Sequence, residues 1–181
     1  GYYVIRMGKN AAASLNINSP KFIDYANSEY RSDFMDFFIT SKCSFNFGTA
    51  NGFFAIPIIF NKVIVNIMVP IGAGSQSNKN QTTFFPDHYS NIKKRNLTIE
   101  EIASEKLAFA LHENEYKVKS VTLKLDKNLL KELAGEVIDI IEKKNNENSD
   151  LQKKFWENYL KCLKKYYPIE IWSQYQREIN S

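Results

Sequence analysis

Cysteine is scarce in this chain, and the two it has lie far apart. Cys43 and Cys162 sit within apolar patterns. That excludes a disulfide framework, and without a C-x-x-C pair or a Cys/His cluster there is no zinc pattern. Two buried thiols in a reducing compartment are the expectation. Long apolar runs are missing as well. None approaches the roughly 18 to 20 residues needed to cross a bilayer, and no signal peptide is evident. Strong charge of one sign is missing too. A net charge of +4 is mild, and the lysine pairs lack aromatic interleaving, so a nucleic-acid surface is not indicated. His88 and His112 have no nearby nucleophile or metal-ligand spacing and read as surface or loop histidines. The phosphate-binding signatures G-x-x-x-x-G-K-[ST] and G-x-G-x-x-G are both absent.

What is present is unevenly spread. Residues 1–86 hold eleven of the thirteen phenylalanines and only eleven charged residues. One domain is expected, with 1–86 a sheet-rich core and 87–181 a mainly helical flank. Apolar runs at 2–7, 21–26, 43–49 and 62–69 read as buried strands, with 82–86 a fifth. Helical patterns at 31–41 and 52–61 alternate with them. This is the pattern of an α/β fold with a parallel sheet of about four to six strands, covered on both faces. Farther on, 118–126 alternates like an edge strand. Helices are expected after Thr98, capped with Glu101, after Asp126, and after Ser149, capped with Gln152. Their apolar stripes should face the core. The aromatic and lysine mixture at 156–167 has a second reading, peripheral contact with an anionic membrane. The stretches 72–81 and 143–150 read as a loop and a linker.

Three polar clusters fall where these strands end. Arg6 closes the first apolar run, just before Gly8. Ser28, Arg31, Ser32 and Asp33 follow the second. Gly48, Thr49, Asn51 and Gly52 follow the third. In an open α/β sheet the carboxyl ends of the strands face the ligand, and exposed amides there favour an anion, usually phosphate. A guanidinium fork at such an end suits phosphate or carboxylate. The plain structural readings are an Arg6–Asp24 pair, helix capping by Ser32 or Asp33, and a turn that is merely tight.

These blocks carry a family resemblance. "VIRMG", "IDYANSEYRSDFMD" and "CSFNFGTANGFFAIPIIFNKVIVNIM" are similar to blocks of a family of bacterial glycosyltransferases from surface-polysaccharide loci. "LTIEEI" at 97–102 echoes a later block. Ala50-Asn51 departs from the usual Ser-Ser, which removes hydroxyl donors, and the C-terminal tail departs too. The resemblance implies the donor-binding, Rossmann-like half of a two-domain (GT-B type) enzyme, its acceptor domain lying on a missing N-terminal part. That would fit a chain opening on Gly1 and entering an apolar run at once. It also implies a nucleotide-sugar donor bound by Arg6, Ser28, Ser32, Asp33, Gly48, Thr49 and Gly52, and Gly8, Arg31 and Asn51 join these candidates by their place in the same clusters. The acceptor would be a glycan or a lipid-linked one, with no resident cofactor or metal and no identifiable catalytic base. The setting would be the cytoplasm or the inner face of its membrane. The rival readings are a non-catalytic nucleotide or sugar-phosphate binding module and an interaction protein without a ligand.

Overall fold

The computed structural model describes residues 1–9, 11, 13–49, 52–72, 80–142 and 149–173. The chain divides into two compact units, Gly1–Asn46 with Asn51–Ile64, and Phe47–Ala50 with Val65–Ser181. The division therefore falls well before Pro86, where the composition changes.

The first unit opens with two short strands, β1 (Val4–Ile5) and β2 (Phe22–Ile23). They pair in parallel, Val4 opposite Phe22 and Ile5 opposite Ile23. A 3-10 turn over Tyr25–Asn27 follows, then helix α1 (Asp33–Lys42). Helix α1 starts at Ser32 because the Ser32 hydroxyl accepts the Met35 amide at 3.2 Å. Asp33 and Asp36 in its first turn and Lys42 in its last suit the helix dipole. A second 3-10 turn, Gly52–Phe54, leads into the short helix α2 (Ala55–Ile59). Phe54 and Pro57 are buried.

Strands β3 (Phe45–Thr49), β4 (Val63–Ile67) and β5 (Gln81–Phe84) lie in that order in a second sheet. The second unit adds an antiparallel sheet of β6 (Asp87–Ser90), β7 (Arg95–Asn96) and β8 (Val121–Lys124), with β6 in the middle. Five helices accompany it: α3 (Ile99–Ser104), α4 (Glu113–Val118), α5 (Lys127–Ile141), α6 (Ser149–Tyr166) and α7 (Ile169–Trp172). Thr98 and Glu101 form the expected capping box, each side chain taking the other's amide, at 3.2 and 2.9 Å. Asp126 accepts the Asn128 amide at 2.7 Å ahead of α5. At Gly72 the backbone passes so close to the Ala108 carbonyl that an added Cβ would lie 2.6 Å from its oxygen. Only glycine fits there.

The core of the second unit is built on α6. Tyr159, Leu160 and Leu163 are buried with Ile71, Ile102, Leu107, Tyr116 and Val121. Phe155 stacks on Phe85 and on Tyr159, and Trp156 meets both of these rings edge-on. Leu133 and Val137 of α5 are also buried. The apolar stripe at 156–167 is thus internal, and the membrane reading of that stretch loses its apolar face. Among the described residues no helix is long and apolar enough to cross a membrane.

The chain is α/β, with two of its three sheets parallel, but several expectations need correction. The strands form three small sheets instead of one parallel sheet of four to six strands. The stretch 2–7 contributes only two ladder residues, and Val4 is 58% exposed. Apolar sequence becomes a buried strand only where another layer covers it. Ile58 and Ile59 of α2 are likewise exposed. The flank after 86 holds an antiparallel sheet, in which 121–124 is indeed an edge strand. The loop 73–79, most of the linker 143–150 and the Ser149–Gln152 side chains lie outside the described residues.

Leu163→Ala should cost about 2 to 5 kcal/mol, the range for truncating a fully buried leucine. Thr98→Ala should cost about 1 kcal/mol through its lost cap. Urea unfolding of both variants checks the ranking, and near-equal losses would show that α6 is not the centre of this core.

Candidate functional site

The polar residues of the first unit gather just past the parallel pair. The register that sets Ile5 opposite Ile23 also places Arg6 beside Asp24, one residue on. Arg6 Nη1 donates to Asp24 Oδ2 at 3.1 Å and to the Ala13 carbonyl at 2.7 Å. Its Nε and Nη2 make no hydrogen bond among the described residues. Asp24 is itself well supplied with donors. The Leu15 amide at 2.8 Å, then Asn27 and the Arg6 charge, hold its carboxyl below the ordinary carboxylate value. The aspartate stays ionised and pins one edge of the guanidinium. The other edge remains free to donate.

The second cluster is tied to the same segment. Tyr25 is buried, and its hydroxyl donates to the Ser32 carbonyl at 3.2 Å and accepts the Ser32 amide at 3.1 Å. This closes the loop between β2 and α1. Ser28 is turned inward, its hydroxyl donating to the Tyr25 carbonyl at 2.9 Å. Arg31 Nη2 reaches Asp36 Oδ2 at 3.4 Å, while Arg31 Nε is buried without a partner. Asp33 is exposed in the first turn of α1. Gly8 has φ +129°, a conformation that favours glycine, and open space around it. Beside the pair, a shallow cavity of about 370 Å³ is lined by Leu15, Asn16, Ile17, Asn18, Phe22 and Asp24.

The third cluster has a different setting. Gly48 and Thr49 are the last residues of β3, within its ladder and not in a turn. Asn51 lies outside the described residues. Gly52 opens a 3-10 turn, where an added Cβ would meet no atom within 4 Å. Close packing does not require glycine at that position. Arg6, Gly8, Ser28, Arg31, Ser32, Asp33 and Gly52 belong to the first unit, and Gly48 and Thr49 to the second.

His88 is not where the sequence led one to expect it. It is 2% exposed in the central strand β6, where a surface or loop histidine was expected. Its Nδ1 lies 3.1 Å from the Pro86 carbonyl, so the proton resides on Nδ1 and Nε2 is left without a partner. Its ring packs on Tyr116, whose hydroxyl donates to the Ala110 carbonyl at 2.7 Å and is pushed by burial to a pKa of about 12. The alternation of "DHYS" was the available signal, since His88 and Ser90 face inward while Asp87 and Tyr89 do not. His112 is exposed at the start of α4, as expected. Both cysteines are free and partly buried, and burial raises both thiols. Among the described residues no group of three or more His, Cys, Asp or Glu side chains could hold a metal ion.

Comparison with known protein families, with curated proteins and with solved structures gives no match for this chain.

The buried imidazole has a pH consequence. Burial lowers its pKa from the ordinary 6.5, opposed more weakly by the Pro86 carbonyl and the Asp87 charge. Below 6.5 the unfolded chain takes up a proton that the folded chain refuses, so stability should fall as the pH drops through that value. Urea unfolding between mildly basic and mildly acidic pH should show this loss, and His88→Phe should reduce it. An equal loss in the variant would assign the dependence to other groups.

Proposed function

We propose that the chain is the donor-binding part of a glycosyltransferase, a Rossmann-like domain that holds a nucleotide sugar through its diphosphate. The observation that carries this reading is Arg6. It stands just beyond the carboxyl end of a parallel strand, pinned along one edge by an ionised aspartate, with Nε and Nη2 along the other edge unbonded among the described residues. A guanidinium held in this way is preorganised for an oxyanion, because little side-chain freedom remains to be lost on binding. Arg31, likewise tethered by an aspartate and with an unpaired Nε, adds a second positive charge on the following loop. The left-handed backbone at Gly8 comes two residues after Arg6. The resemblance of these blocks to surface-polysaccharide glycosyltransferases supplies the reaction class.

In that reaction an acceptor hydroxyl oxygen bonds to the sugar's anomeric carbon and gives its proton to a base outside the residues assigned here, while the bond from that carbon to the diphosphate breaks and negative charge grows on the departing phosphate oxygen. Arg6 would stabilise that charge as it develops. The nucleotide sugar is a substrate, so no resident cofactor is called for. The acceptor would be a glycan or a lipid-linked glycan.

The Arg6–Asp24 pair favours a second reading on its own, in which Arg6 only braces the β1–β2 ends. Calorimetric titration separates the two. Arg6→Ala should weaken binding of a nucleoside diphosphate by about 1.5 to 3 kcal/mol, as for a hydrogen bond to a charged group, and leave the bare nucleoside nearly unaffected. Equal losses for both ligands would make Arg6 structural. Absence of binding for a nucleoside diphosphate and a nucleotide sugar alike would overturn the donor-site reading.

A further inference from the structure

The outer face of the antiparallel sheet holds a cavity of its own, in the second unit, whereas Arg6 belongs to the first. It measures about 510 Å³ and is lined by Asp87, Tyr89, Asn96, Lys124, Leu125 and Asp126. Sites for small molecules span roughly 300 to 1,000 Å³. Alternation and register bring these residues together. His88 and Ser90 of β6 face inward, so Asp87 and Tyr89 face outward. Asn96 of β7 stands opposite Tyr89, and Lys124 of β8 stands opposite Asp87. After β8 the chain turns through Leu125 and Asp126 into α5.

Most of the polar groups on this face are unspent. The side chains of Asp87 and Asn96 and the Tyr89 hydroxyl make no hydrogen bond or ion pair among the described residues. Asp126 Oδ1 accepts the Asn128 amide at 2.7 Å, and Oδ2 has no such partner. Lys124 Nζ lies over the Tyr89 ring, 3.1 Å from its centroid, and fixes the ring in the middle of the face.

These groups discriminate among guests by charge. An anion would meet two carboxylates against one ammonium. A cation would find its place on the Tyr89 ring already taken by Lys124. An apolar molecule would strip water from polar side chains and give them nothing in return. A neutral molecule rich in hydroxyls meets none of these costs, because each hydroxyl both donates and accepts. Asp87 and Asp126 accept, Lys124 donates, and Asn96 and the Tyr89 hydroxyl do both. The weakly positive C–H groups of a sugar ring also suit the negative face of an aromatic ring. We propose that this cavity binds one neutral sugar ring of a glycan. Tyr89, on the surface that Lys124 leaves open, and Leu125 take its C–H groups, and Asp87, Asn96 and Asp126 take its hydroxyls. The site does not depend on the role of Arg6, since all six lining residues belong to the second unit.

Saturation-transfer NMR of the full chain tests this, with the methyl glycosides of glucose, galactose, mannose and N-acetylglucosamine as probes. Saturation should reach the ring protons of at least one of them. Asn96→Ala, at an exposed position, should weaken that binding roughly two- to tenfold, as for a lost neutral hydrogen bond. Tyr89→Ala should weaken it further, and Tyr89→Phe, which keeps the ring, should retain most of it. Circular dichroism matching the unmodified chain separates loss of the site from loss of the fold. The 6-phosphate ester of a sugar that binds should bind more weakly, repelled by Asp87 and Asp126. No transfer to any of the four glycosides would overturn the proposal. Binding unchanged in both Asn96→Ala and Tyr89→Ala would overturn it too, and so would tighter binding of the phosphate ester, which would give the cavity to an anion.

Discussion

The aromatic stripe of α6 is the interaction on which the second unit depends. Phe155 and Trp156 meet both Phe85 and Tyr159, and Tyr159 and Leu163 are sealed from solvent among side chains from α3, α4 and β8. Burying each such side chain contributes roughly 1.5 to 3 kcal/mol before the cost of ordering the chain. The short elements around it could not stand alone. Helices of six residues are far below the length that is stable in water, and two- to four-residue strands need a covered face. Helix α6 supplies that cover, and the Thr98–Glu101 box and Glu101's contacts with Lys93 and Arg95 then fix α3 and the β6–β7 turn.

The first unit follows a different logic. Its order comes from polar ties: Arg6 to Asp24, Tyr25 to Ser32, and the Ser32 cap on α1. These ties organise the carboxyl ends of β1 and β2, while the apolar side chains of α1 and α2 are left at the surface.

Much of the local structure was legible in the sequence. Ser32 and Thr98 announced helix starts because a capping hydroxyl acts within three residues, and the stripes of α5 and α6 followed from helical period. The pairing of Arg6 with Asp24 was one of two open readings. The structure makes the pair and still leaves guanidinium donors free, so the two readings are not exclusive. His88 was misjudged because one inward residue in a four-residue strand leaves almost no period to detect. Strands β6 and β7 escaped for the same reason, being four and two residues long, while the alternation at 118–126 did reveal β8.

The sequence by itself determined where helices begin, which helical faces are apolar, and which polar residues stand at strand ends. All of these rest on interactions between residues a few positions apart. Tertiary structure alone decided which apolar runs are buried. Val4, Phe34 and Ile59 look as apolar in sequence as Ile64, Val65 and Leu163, yet only the last three are shut away from water. Burial is a property of what packs against a side chain, and that partner comes from distant parts of the chain. The same holds for the division into three small sheets. Strand pairing is chosen by long-range contacts that local composition does not encode.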